Sequence, residues 1–100
     1  MKRRYLALMI DSPEMCSPNE FVDAVWDSVA KLYGEHGCST VSMNLISFDS
    51  EKKSAVLRAG HTNLEMVRTA LASITKISGK PVAVHVLKIS GTIKGLRRNT

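Results

Sequence analysis

Residues 79–98 read GKPVAVHVLKISGTIKGLRR. Gly79-Lys80-Pro81 is a turn sequence: glycine accepts a left-handed backbone, and proline fixes φ and withholds an N–H. Val82 to Ser90 follows as a nine-residue, β-branched-rich run, which predicts a strand. A glycine-spaced basic tail closes the stretch. Upstream, Leu64, Val67, Leu71 and Ile74 recur at helical spacing, so the last strand is fed from a helix. Thr62-Asn63-Leu64-Glu65 opens that helix as an S/T-x-x-E capping box. Lys76 falls in its last turn, where a cation suits the helix dipole. Gly79 stops it and Pro81 prevents its resumption.

Working back toward the N-terminus, the pattern repeats. Ser54 to Ala59 is a strand and Asp49 to Lys53 a polar turn. Thr40 to Phe48 alternates, with Val41, Met43 and Leu45 on one face and Ser42 and Asn44 on the other, so these two strands form a hairpin. Before it, Ser17-Pro18-Asn19-Glu20 is a second and stronger helix start. Ser17 caps the amide of Glu20, Glu20 reaches back to Ser17, and Pro18 takes the first helical position at no cost in hydrogen bonds. Cys16 and Phe21 are placed as a hydrophobic staple. Phe21, Val22, Val25, Trp26, Val29, Leu32 and Tyr33 continue the helix, and Gly34 suits the position after its end, with Gly37 as second candidate. Arg4 to Ile10 is the first strand, ended by Asp11-Ser12-Pro13.

The order is strand, helix, strand, strand, helix, strand. Two right-handed β-α-β crossovers then give an α+β, ferredoxin-like (RRM-like) sandwich: a four-stranded antiparallel sheet with both helices on one face. Residues 1–100 form a single domain.

That fold leaves one sheet face uncovered. In the first strand Leu6, Leu8 and Ile10 oppose Tyr5, Ala7 and Met9. In the last, Val82, Val84 and Val86 oppose Ala83, His85, Leu87 and Ile89. Both faces are apolar on this half of the sheet, whereas Val56 and Arg58 share a face in the third strand. The surplus apolar area, assigned to Tyr5, Ala7, Met9, Leu87 and Ile89, is expected to lie under the C-terminal tail or another protein chain. Alternation alone leaves open which face is free.

Charge is asymmetric. Residues 52–100 carry ten Lys/Arg and one acid, Glu65, while residues 1–35 hold six of the nine acids. A basic half of this kind suits a polyanion, most often nucleic acid, or is simply a solvated surface. No run approaches the ~20 apolar residues of a membrane span, and the six from Tyr5 to Ile10 are too few for a signal peptide, so a mature cytoplasmic start is expected. Cys16 and Cys38 form no CxxC and are expected to be reduced thiols.

Catalytic machinery is not apparent. His36 and Cys38 lack further ligands, His61 and His85 lack an adjacent nucleophile, and Asp23 and Asp27 lie four apart on one helix face. There is no GxGxxG, GxxxxGK[ST] or HExxH. No catalytic residue, no metal site and no cofactor bound by this chain is assigned. An RNA-recognition motif would stack bases on central-strand aromatics, but the third strand, KKSAVLRAG, has none. Base stacking on the sheet is therefore not expected, and RNA would be held mainly through phosphate charge and shape.

Several segments nevertheless resemble one family. They are Lys2-Arg3-Arg4-Tyr5, Leu32-Tyr33-Gly34-Glu35-His36-Gly37, Ala55-Val56-Leu57-Arg58, Ala70-Leu71-Ala72-Ser73-Ile74-Thr75 and, most specifically, Leu87-Lys88-Ile89-Ser90-Gly91-Thr92-Ile93-Lys94. Together they are similar to the ribonuclease P protein component 2 family, archaeal-type small RNase P/MRP subunits. The resemblance implies a non-catalytic subunit of an endoribonuclease that removes the 5′ leader of precursor tRNA. Catalysis would belong to the RNase P RNA and its Mg²⁺ ions. It implies as partners that RNA, a TIM-barrel-like component 3, a possible second copy and, indirectly, precursor tRNA, with no membrane. Carried over by position, Arg58, Lys88 and Lys94 would contact RNA phosphates, and Arg97 and Arg98 would extend the basic tail. Gly91 would permit a turn or close approach that a Cβ would obstruct, and Ser90 and Thr92 would bond phosphate or cap the turn. The alternative is an oligomerising or small-ligand regulatory domain of the same fold that binds no RNA.

Overall fold

A computed structural model describes residues 3–14 and 16–92, with only the backbone given for His36, Cys38, Ser39 and Thr40. Strand β1 (Arg3–Asp11) leads to α1 (Pro18–Thr40), then β2 (Met43–Asp49), β3 (Ser54–Gly60) and α2 (Leu64–Ala72). A small hairpin follows, β4 (Lys76–Ile77) and β5 (Lys80–Pro81), and β6 (Ala83–Ser90) comes last. The main sheet runs β2-β3-β1-β6, antiparallel throughout. This is the ferredoxin-like layout expected from the pattern of elements.

The start of α1 forms as its sequence dictates. Ser17 Oγ accepts from the Glu20 amide at 3.2 Å, and Glu20 Oε1 accepts from the Ser17 amide at 2.9 Å. Cys16 and Phe21 are both buried beside this cap. The helix breaks at Gly34, whose φ of 72° and ψ of −170° suit glycine almost alone, and then resumes to Thr40. The break folds the last turn back, so that Gly37 lies against Tyr33. Phe21, Val25 and Val29 from α1 and Val67, Ala70 and Leu71 from α2 are buried against one face of the sheet. Ser28, also buried, donates its hydroxyl to the Ala70 carbonyl at 2.8 Å and ties the two helices.

The second helix departs from expectation at both ends. His61–Asn63 forms a 3₁₀ turn, Asn63 takes the cap position and no side chain caps the helix, so the Thr62–Glu65 box is not made. Glu65 instead lies 3.4 Å from Arg68. The helix ends at Ala72 rather than near Gly79, and Lys76 sits in β4. The reason lies in the turn: Ser78 and Gly79 both have positive φ, 53° and 80°, the geometry of a two-residue hairpin connection. Gly79 thus closes a hairpin instead of stopping a helix. That hairpin docks on the start of α1: Ser78 Oγ donates to Glu20 Oε2, and Lys80 Nζ lies 2.9 Å from Glu14 Oε1.

Both edge strands carry one extra residue. In β6 the pairing passes from Ala7↔Lys88 to Leu8↔Val86, leaving Leu87 over. In β2 it passes from Leu45↔Leu57 to Ser47↔Val56, leaving Ile46 over. Each is a β-bulge, and each shifts the alternation of the strand beyond it by one position. Ile89 therefore lies opposite Leu6 and joins the core, correcting its assignment to the uncovered face. Phe48 likewise returns inward, where its ring centroid is 5.8 Å from that of Phe21.

Candidate nucleic-acid interface

The sheet face away from the helices, uncovered among the described residues, is built in cross-strand rows. Opposed residues of an antiparallel pair point the same way, their Cβ atoms about 5 Å apart. Reading β2-β3-β1-β6, one row is Asn44, Arg58, Tyr5, Ser90. The next is Ser47, Val56, Ala7, Lys88, and the third is Asp49, Ser54, Met9, His85. The bulge at Leu87 is what brings Lys88 and Ser90 here. Strict alternation would have placed Leu87 and Ile89 on this face, so it is less apolar than the sequence suggested.

Of the residues assigned to RNA, Arg58, Lys88 and Ser90 lie within two adjacent rows. Ser90 Oγ accepts from the Thr92 amide at 3.3 Å, so it caps the exit from β6. Gly91 needs correction. A Cβ there would stand 3.5 Å from the Arg4 guanidinium, an ordinary contact, and its φ is not positive, so neither crowding nor backbone requires glycine. What the position does show is that an arginine lies over the chain as it leaves the sheet. Lys94, Arg97 and Arg98 lie outside the described residues. Of the residues assigned to a protein partner, Tyr5, Ala7 and Met9 share the uncovered face, Ile89 does not, and Leu87 is the exposed bulge residue. Sequence reasoning made no site of Asn44, which pairs with Arg58, or of Arg3 and Arg4. The basic start was the available signal for the arginines, and only the register could have found Asn44.

Charge on the sheet is polarised. Arg3, Arg4, Arg58 and Lys88 lie toward the end where β1 begins and β6 finishes. The acids within the four strands, Asp11 and Asp49, are at the opposite end. Asp49 Oδ1 there accepts from the amides of Glu51 and Lys52, each at 3.0 Å. Glu20, also at that end, is held below the usual carboxylate range, first by the Ser17 amide and then by the Ser78 hydroxyl. Lys80 is raised, chiefly through its hydrogen bond to Glu14. Asp49 and Glu20 are thus engaged in local structure, and the strand acids stand at the end of the sheet away from Arg58.

Among the described residues no three His, Cys, Asp or Glu side chains converge on a metal-sized site. Burial pushes the Cys16 thiol up, away from the reactive thiolate. No described helix is long and apolar enough to cross a membrane.

Fold and surface together define a ferredoxin-like module whose uncovered sheet face is cationic at one end. The chain belongs to the Rpp14/Pop5 family, whose model matches residues 4–100. It is 34% identical to ribonuclease P protein component 2 of Methanosarcina mazei over 93 residues, 93% of this chain and 78% of that one. It is also 34% identical to ribonuclease P protein component 2 of Pyrococcus horikoshii over 97 residues, 97% of this chain and 81% of that one. Among solved structures, a chain of the cryo-EM structure of yeast ribonuclease MRP superposes with a TM-score of 0.75 at 18% identity, covering 91% of this chain and 75% of that one. That likeness is one of fold.

Proposed function

We propose that this chain is a non-catalytic protein subunit of ribonuclease P that supports the catalytic RNA in removing the 5′ leader of precursor tRNA. The observation that carries the reading is its alignment, across nearly its whole length, with proteins named ribonuclease P protein component 2. The polarised sheet supports it: Arg58 and Lys88, with Arg3 and Arg4 beside them, are placed to neutralise phosphates. Hydrolysis belongs to the RNA and its Mg²⁺ ions in this reading, and the protein stabilises the folded RNA. Component 3, and a second copy of the chain, are its proposed protein partners. Exposed Met9 and Leu87 support such contacts. We propose the cytoplasm as its place of work. The regulatory alternative has no comparable support.

The test is reconstitution. The chain is combined with RNase P RNA and component 3, and 5′ cleavage of precursor tRNA is measured at limiting Mg²⁺. Stimulation of cleavage is expected, and its absence overturns the reading. Arg58→Gln should weaken RNA binding and lower the slope of log affinity against log salt by about 0.7–0.9, the value of one phosphate contact.

A further inference from the structure

We infer that Tyr5 is a stacking platform for one unpaired nucleotide of RNA, with Arg58 and Lys88 holding the phosphates on either side of it. The inference rests on the ribonucleoprotein reading and names what the uncovered face selects: a single-stranded or bulged nucleotide rather than duplex backbone.

Four observations carry it. First, Tyr5 lies on a central strand of the uncovered face, directly opposite Arg58 on one side and Ser90 on the other. Second, it is the one aromatic in those rows, since Phe48, the other strand aromatic, packs into the core. Third, the neighbouring row over which a base and ribose would spread is Val56 and Ala7, small side chains that leave a shallow floor. Fourth, the cations flank the ring: Arg58 rises from β3 and Lys88 from β6, on opposite sides of β1. Those strands stand about 10 Å apart, two strand spacings, so long side chains from both can reach phosphates before and after a nucleotide seated between them. The strand acids, Asp11 and Asp49, lie at the far end of the sheet.

The absence of aromatics in the third strand rules out a platform for two or three bases there. It leaves room for one base on the first strand. A π face accepts any base, so the site reads the availability of an unstacked nucleotide, not its identity. A protein partner covering Tyr5 would want this row apolar, whereas arginine, serine and asparagine surround the ring.

The test uses the whole chain and a six-nucleotide single-stranded RNA carrying one central 2-aminopurine, whose fluorescence is quenched on stacking. Wild type and Tyr5→Phe should bind alike and quench alike. Tyr5→Leu, which keeps the apolar cover of the sheet, should bind at least about fivefold more weakly, the low end for loss of one stacked base. Its quench should be lost and its salt slope unchanged, because no phosphate contact is removed. Arg58→Gln provides the complement, a reduced slope with the quench retained at saturating protein. Equal affinity and quench in Tyr5→Leu and wild type overturns the platform while cleavage stimulation by wild type still upholds the subunit reading. Failure of wild type to bind the hexamer also overturns it. So does a Tyr5→Leu protein that loses only its association with a protein partner.

Discussion

Deletion of Leu87 should leave the protein folded and near its original stability, whereas deletion of Ala7 should not. Register decides both outcomes. Without Leu87, β6 reads Ala83, Val84, His85, Val86, Lys88, Ile89, Ser90, and strict alternation then places Val84, Val86 and Ile89 inward and His85, Lys88 and Ser90 outward. These are the faces the residues already occupy. Leu87 is 63% exposed, so roughly a third of its side chain is buried. At about 1.5–3 kcal/mol for complete burial, its loss costs about 0.5–1 kcal/mol. Against this, one fewer backbone residue must be ordered, a saving of about 1–2 kcal/mol. The net change is within about 1 kcal/mol, or roughly 4–8 °C in Tm. Ala7 is smaller, but β1 has no extra residue to absorb its removal. Either Leu8 and Ile10 turn out to solvent, or Leu6 does so while Tyr5 is forced into the leucine's place. All three aliphatics are almost fully buried, so the cost is about 3–6 kcal/mol in the first case and about 2.5–6 kcal/mol in the second once overpacking is included. Urea unfolding followed by circular dichroism and by the single tryptophan, Trp26, gives both stabilities. A Leu87 deletion as damaging as the Ala7 deletion would refute the reasoning.

Two further outcomes follow from local geometry. Gly37→Ala should be destabilising despite alanine's helix preference. Its Cβ would lie 2.3 Å from Tyr33 Cβ, about 1.2 Å short of an ordinary carbon contact near 3.5 Å, and Tyr33 Cβ is fixed to the backbone. Overpacking of about 1–3 kcal/mol, less about 0.5–1 kcal/mol for removing a helical glycine, leaves a net loss of up to about 2.5 kcal/mol, read as a lower urea midpoint at unchanged m. The second outcome concerns Glu20, whose carboxyl is depressed in the folded state, so its contribution is present above the ordinary glutamate value of about 4.3 and is lost as pH falls through its lowered folded value. Glu20→Gln should therefore flatten the fall in Tm over that acid range. An unchanged acid profile would show that the carboxylate's bonds to Ser17 and Ser78 do not stabilise the fold.

What the sequence announced were the features encoded locally. The capping box at Ser17 and Glu20 needs only four residues and their hydrogen-bonding groups, and it forms as read. The i, i+4, i+8 spacing of Phe21, Val25 and Val29 was enough to place their face in the core. The order of elements then left little freedom in topology. The misread faces of the sheet involve two distant segments, whereas the Thr62–Glu65 box lost locally to a 3₁₀ turn. Alternation in β6 is correct from Val82 to Val86 and fails beyond, because the extra residue is defined only by the partner strand that skips it. The apolar face assigned to Ile89 was wrong for that reason. Gly79 was read against the helix before it, but its real partner across the turn is the β4–β5 pairing, which also holds Ser78 against Glu20, 58 residues earlier in the chain. The site was legible as a charge asymmetry and a family likeness. Its arrangement was not, since Tyr5 and Arg58 are 53 positions apart in sequence and become neighbours only through register.

The paired bulges have a consequence for assembly. Among the described residues β2 and β6 are the outer strands of the sheet, and an incoming strand needs an unbroken row of amides and carbonyls to join either one. Each row is interrupted partway along, at Ile46 and at Leu87, and the local twist turns the edge away from a straight partner. The chain can therefore be held at high local concentration, with a half-apolar face uncovered, without polymerising by strand addition. Its sheet stays four strands wide, and growth of an assembly is directed to the face and the ends.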